Sequence, residues 1–211
     1  MLEMEKKDGV GRIVLTPHFY LDQKSLSRFL DDRAGAIERF QPLADELGIE
    51  VKYGAEVRYT KSLLDQDLKK LCIGDTNYML IEMPFERLTD RFVNEFRTFA
   101  GSVVPDIQLI LAHAERYLLF TSADSIYQIM EADMLVQLNS AEFRPFSKSS
   151  KFMYDLLSRD MAHLLGTDCH NTTSRPPNMS VAQKAISKKI SPRCFAHLMR
   201  NADKVFDGEM I

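Results

Sequence analysis

Gly166-Thr167-Asp168-Cys169-His170-Asn171 follows the short apolar run Ala162-His163-Leu164-Leu165 and delivers a carboxylate and an imidazole two residues apart, just past a strand end. Such a pair can face one divalent cation or two adjacent ones. The pair alone is a weak signal. It gains force because four other β-rich runs of the chain end in the same way.

The run at 12–16 breaks at Pro17 and is followed by His18. The run at 49–53 leads into Gly54-Ala55-Glu56, and the run at 78–82 ends in Glu82 and is closed off by Pro84. Pro105 opens a further unit, whose apolar run at 107–112 delivers His113-Ala114-Glu115-Arg116. A sixth run, 134–138, ends at Asn139-Ser140. Between the runs lie stretches with helical spacing, at 23–47, 61–71, 88–99, 122–132 and 151–159. Phe92, Phe96 and Phe99 fall on one face of the third of these and read as helix core. After an irregular loop at 171–179, which contains Pro176-Pro177, two short helices at 181–188 and 192–199 close the chain.

Six strand-then-helix units in regular alternation imply a parallel sheet with right-handed crossovers, either doubly wound or closed into a barrel. An open sheet concentrates its site at one crevice, whereas a barrel draws functional groups from the C-terminal ends of several strands. Five of six runs ending in His18, Glu56, Glu82, His113 or Asp168 with His170 favour the barrel. With 211 residues, the expectation is one barrel domain over 1–211.

Composition narrows the function classes. Apolar residues make up 45% of the chain, charged residues 27%, and the net charge is −3, as in ordinary globular proteins. This balance gives no reason to expect nucleic acid or a membrane surface as partner. No run approaches a membrane span, and the charged first ten residues contain no secretory apolar region. Three separated cysteines without a CxxC pair give neither a disulfide framework nor a zinc knuckle, so a reducing cytoplasm is expected.

Three histidines and three carboxylates at one mouth suit a cluster of divalent cations, with carboxylates bridging and imidazoles in outer positions. Such ions would lower the pKa of a bound water and neutralise an anionic substrate. Arg116 and Arg175 fit that substrate, because a guanidinium fork matches phosphate and keeps its charge. Metal-assisted hydrolysis of a phosphate ester is the expected chemistry. His163 and His197 have no comparable placement and read as core or surface histidines, while Glu115 is a ligand, a supporting residue or a helix cap. Cys169 and Arg175 also match the C-x5-R pattern of cysteine-dependent phosphatases, but the two prolines after Arg175 remove donors that such a phosphate loop needs.

The stretches TPHF (16–19), GAEV (54–57), YMLIEMP (78–84), LAHAERY (111–117), GTDCHN (166–171) and RPPNM (175–179) resemble the motifs of the PHP superfamily, the polymerase-and-histidinol-phosphatase fold. The wording is most similar to its bacterial protein-tyrosine phosphatases, encoded beside capsular and exopolysaccharide genes. The resemblance implies a distorted seven-stranded TIM-like (β/α) barrel holding up to three divalent ions, manganese first, with iron or zinc as alternatives. Glu56 would bridge two ions, with Asp168 on the first; Glu82 and His113 would complete the second, and His18 with His170 would hold the third. Arg116 and Arg175 would grip the phosphoryl group. The implied substrate is phosphotyrosine on a tyrosine autokinase of polysaccharide export. Histidinol phosphate or a nucleotide, or phosphoprotein binding without hydrolysis, are the alternatives.

Two departures from the family pattern bear on activity. The family opens with an HxH pair at its first strand, and this sequence has none. Residues 1–9 read as the tail of a helix closed by Gly9, so the expectation is a missing first strand unit of roughly 25–30 residues. That loss would leave the first ion short of ligands, reduce activity, and open a sheet edge that invites homo-oligomerisation.

Overall fold

The structure, a computed structural model, describes residues 1–104 and 106–211; Pro105, read above as the start of a unit, lies outside them. The chain runs α1 (Leu2–Lys7), β1 (Arg12–Leu15), β2 (His18–Phe19), α2 (Leu26–Glu46), β3 (Glu50–Tyr53), β4 (Glu56–Arg58), β5 (Tyr78–Glu82), α3 (Asp90–Val103) and β6 (Gln108–Leu111). It continues with α4 (Ala123–Met130), β7 (Leu135–Asn139), α5 (Ser150–Ser158), β8 (Leu164–Gly166), α6 (Met179–Lys189) and α7 (Pro192–Asp207). Four helices start where a hydroxyl caps them: Ser25, Thr89, Ser122 and Ser191 accept from the backbone N–H three residues on.

Every ladder is parallel. β1 pairs with β3, and β2, β4, β5, β6, β7 and β8 lie side by side in chain order. A doubly wound sheet would reverse its order at a switch point, and this one does not. The result is an α/β half-barrel with a singly wound parallel sheet.

Two of the expected strands are each followed, after a short break, by a second short strand, β2 and β4. The break at Pro17 is local, because the Pro17 carbonyl still accepts from Glu56 N at 3.1 Å and the ladder resumes with His18 opposite Glu56. His18 and Glu56 are thus held in a paired sheet and do not hang on loops beyond it. The stretch at 61–71 forms two 3-10 turns, Lys61–Asp65 and Leu68–Leu71, in place of the expected α-helix. The last helix runs on to Asp207, with Gly208 at φ +79° ending it.

The strands are apolar on both faces, as a covered parallel sheet requires. Met79, Ile81, Leu109, Leu111, Val136 and Leu138 turn to one side and share a core with Phe96 and Phe99 of α3, Ile126 of α4 and Leu156 of α5. Tyr78, Leu80, Ile110, Leu135 and Leu164 turn the other way and meet Val205 of α7. The period of two carries this second face from Tyr78 through Leu80 to Glu82, so the acid at the strand end points where its apolar neighbours point.

Among the described residues, β8 pairs only with β7 and β1 only with β3, which leaves the sheet open between them. α1 and α7 span that seam. Arg12 on β1 donates to Asp207 of α7 at 3.0 Å, and Thr167, just past β8, donates to Glu5 of α1 at 3.1 Å. Beneath them a cavity of about 1330 Å³ extends from Val205 and Phe206, past Leu80 and Ile110, to His18, Glu56 and Asp168.

This packing separates two substitutions. Phe96 is fully buried, edge-on to Tyr59 at 5.1 Å, whereas Leu43 on α2 is 55% exposed. Phe96→Ala is expected to cost about 3–5 kcal/mol in urea unfolding, and Leu43→Ala to stay within about 0.5 kcal/mol.

Candidate functional site

Strand register builds the first half of the site. Glu56 pairs with His18 on one side and Leu80 on the other, and Glu82 lies two residues beyond Leu80 on the same face. Donor atoms of His18, Glu56 and Glu82 consequently lie within 4.8 Å of one another. His113, just past β6, closes the group: its Nε2 is 2.9 Å from Glu56 Oε1 and 3.3 Å from Glu82 Oε1. Glu56, Glu82 and His113 are buried, and only His18 reaches solvent.

Burial alone would pull the His113 pKa down, but its hydrogen bonds to the Glu56 and Glu82 carboxylates outweigh it and lift the value to about 9. Burial pushes the Glu82 carboxyl up, and the neighbouring imidazole overcomes this and holds it below its ordinary range. Two atoms make no hydrogen bond, Glu82 Oε2 and His113 Nδ1, both shielded from water; Glu82 Oε2 has only the Arg58 guanidinium nearby, at 3.5 Å, and His113 Nδ1 is left unpaired. Orphaned polar atoms in a buried, anionic N/O donor set are costly unless a cation takes them, and carboxylate with imidazole suits divalent ions. The residues fit a metal centre.

Asp168 anchors the second half. Its Oδ2 accepts from Arg116 at 3.1 Å, from Arg175, and from Asn139 Nδ2 at 3.0 Å. His170 joins the halves: Nδ1 lies 3.6 Å from Asp168 Oδ1, and Nε2 lies 3.4 Å from His18 Nε2. Asp168 has φ +46° and His113 φ +34°, left-handed backbone that a residue with a Cβ adopts at a cost and that clusters at functional sites. All eight residues singled out in the sequence therefore meet at one end of the sheet, in two linked groups.

Sequence reading passed over Asn139. It ends β7 at the position where the other strands place acids or histidines, and only its uncharged amide hid it. Glu115, left open above, is buried and accepts from the backbone N–H of Asn139 at 3.3 Å; burial raises its pKa to about 7. It supports Asn139 from below. His163 accepts from Val136 N at 3.0 Å, and His197 lies beside Asp160 at the surface, so both are structural.

Cys169 does not sit in a phosphate loop. Its thiol faces Glu5 at 3.7 Å, and burial raises its pKa. The backbone N–H groups of Thr173, Ser174 and Arg175, which would cradle an anion in a C-x5-R loop, all donate to Asn171 Oδ1.

A family profile described as "Capsular polysaccharide synthesis, CpsB/CapC" matches residues 1–207, nearly the whole chain. The chain belongs to the CpsB/CapC family. Among its relatives, the tyrosine-protein phosphatase CpsB of Streptococcus pneumoniae is 31% identical, over 100% of this chain and 90% of that protein. The tyrosine-protein phosphatase YwqE of Bacillus subtilis (strain 168) is 24% identical, over 97% of this chain and 82% of that one. Crystal structures of YwqE and CpsB, described as unique metal-dependent tyrosine phosphatases, include a chain that superposes with a TM-score of 0.81. That match covers 100% of this CpsB/CapC chain and 86% of the other at 20% identity, and establishes the shared fold. No helix among the described residues is long and apolar enough to cross a membrane.

The His113 contacts set a pH dependence. Its folded pKa of about 9 stands above the ordinary 6.5, so the stability it contributes is complete below pH 6.5 and is lost as pH rises through 9. In metal-stripped protein, the His113 imidazole followed by NMR is expected to titrate near pH 9, and Glu56→Gln to bring it down.

Proposed function

We propose that this protein is a metal-dependent phosphomonoesterase that removes phosphate from phosphotyrosine in a protein of capsule or exopolysaccharide synthesis. The observation that carries this reading is the meeting of a buried carboxylate–imidazole cluster with two arginines that already converge on one carboxylate oxygen. Membership of the CpsB/CapC family and relatives named as tyrosine-protein phosphatases support it.

In this reading Glu56, Glu82 and His113 hold one divalent ion, His18 and His170 another, and Glu56 with Asp168 a third. The ions, manganese first with iron or zinc as alternatives, supply a nucleophilic water and offset negative charge on the substrate. The remaining chemistry belongs to the chain. Arg116 and Arg175 bind the phosphoryl oxygens, exchanging the Asp168 carboxylate for the substrate's anion and stabilising the charge that grows on it. Asn139 keeps a donor on Asp168 and fixes which way that carboxylate faces. Burial of Glu56, Glu82 and His113 keeps bulk water away, which strengthens each electrostatic contact.

The finer architecture is a proposal too: the half-barrel corresponds to a seven-stranded PHP-type barrel, with the place of its first strand at the seam between β8 and β1. The proposed protein substrate is a polysaccharide-export tyrosine autokinase, and the proposed compartment the cytoplasm.

Turnover of a phosphotyrosine peptide is expected to vanish with chelator and return with manganese. Arg116→Ala and Arg175→Ala should each cut kcat/KM by roughly 10²–10³-fold, while Cys169→Ser leaves it intact. Activity that ignores chelator and is abolished by Cys169→Ser would overturn the reading. Asn139→Ala is expected to weaken metal binding by about 10–100-fold, measured by calorimetry.

A further inference from the structure

The turn that carries Arg116 continues into two apolar residues that the metal and phosphate groups do not use. Leu119 is 71% exposed and Phe120 43% exposed. Phe120 is not isolated. The Phe120 ring lies 5.5 Å from that of Phe85, and Phe85 is stacked on His113 at 5.6 Å and 27°. The Arg116 guanidinium lies 5.0 Å from the same Phe85 ring. An apolar surface therefore runs without a break from the buried imidazole and the phosphate-binding arginine out to solvent. Single exposed apolar side chains are common and need no explanation, but a contiguous set abutting a polar site marks a place where something apolar binds.

We infer that Phe85 and Phe120 form the shelf that receives the phenyl ring of phosphotyrosine and selects aryl over alkyl phosphates. The inference rests on the phosphomonoesterase reading and deepens it. With the phosphoryl group at Arg116, the atom beyond the ester oxygen lies beside Phe85. A phenyl ring there packs its face or edge against Phe85 and Phe120, covering apolar area that is otherwise wet. Phosphoserine offers one methylene at that point and leaves the shelf exposed. Phe85 also holds Arg116 through its ring face, so the ring and the phosphate are read by one connected unit. Leu119, further out, meets the residue next to the phosphotyrosine.

The test uses the full chain loaded with manganese and the variants Leu119→Ser and Phe120→Ser, whose exposure protects the fold. Kinetics are compared on a phosphotyrosine peptide, the same peptide with phosphoserine, and β-glycerophosphate. Phe120→Ser is expected to lower the preference for phosphotyrosine over phosphoserine, as the ratio of kcat/KM values, by about tenfold, chiefly through KM. Equal losses on all three substrates, or an unchanged ratio, would overturn the shelf. If the wild-type protein turns over none of them, the enzymatic reading fails instead. The shelf is then decided by fluorescence anisotropy of the two labelled peptides, where a phosphotyrosine preference that Phe120→Ser abolishes supports it and equal binding rejects it.

Discussion

The imidazole of His113, held between the carboxylates of Glu56 and Glu82, is the contact on which the mouth of the sheet depends. Two acids buried side by side would repel each other and shed their charge by taking up protons. Positive charge beside them makes the arrangement tolerable, and in the protein alone it comes from His113 between the two acids and from Arg58, whose guanidinium lies 3.5 Å from Glu82. The raised pKa of His113 and the lowered pKa of Glu82 are two sides of this balance. The same negative field that protonates the histidine would favour a divalent ion in place of that proton, with His113 then a neutral ligand.

The second constraint is the Asp168 carboxylate. Three donors from three segments converge on its Oδ2: Arg116 from the turn after β6, Asn139 from the end of β7, and Arg175 from the loop before α6. Loops of unrelated sequence are thereby held around one oxygen. The left-handed backbone at Asp168 is affordable only because these contacts over-determine it. Each arginine reaches that oxygen through a single nitrogen, so two guanidinium groups share one anionic atom.

Much of this was legible in advance. The parallel α/β order, β5 at Tyr78–Glu82 and the helical phenylalanines follow from periodicity, because side-chain alternation is set by local backbone geometry. The site residues could be chosen because five of the six strand runs end in a carboxylate or an imidazole, a recurrence that solvated loop ends do not explain. Harder to see were the resumption of the first strands past Pro17 and Gly54, and the 3-10 turns at 61–71. In the first case a neighbouring strand supplied hydrogen bonds that the proline itself could not, and in the second tertiary packing outweighed helical spacing.

What the sequence determined by itself was which chemistry is present: three imidazoles, three carboxylates and two guanidinium groups at comparable positions along six units. Which of them touch was decided only by the tertiary structure, through the register that sets His18 beside Glu56 and the backbone angles that turn His113 and Asp168 inward. The partner of Asp168 in Asn139, the open seam between β8 and β1, and the apolar shelf beside Arg116 belong to the same class. The physical reason is that spacing along a strand fixes the face a side chain takes, whereas distance across strands depends on register, twist and loop closure, which are properties of the assembled sheet.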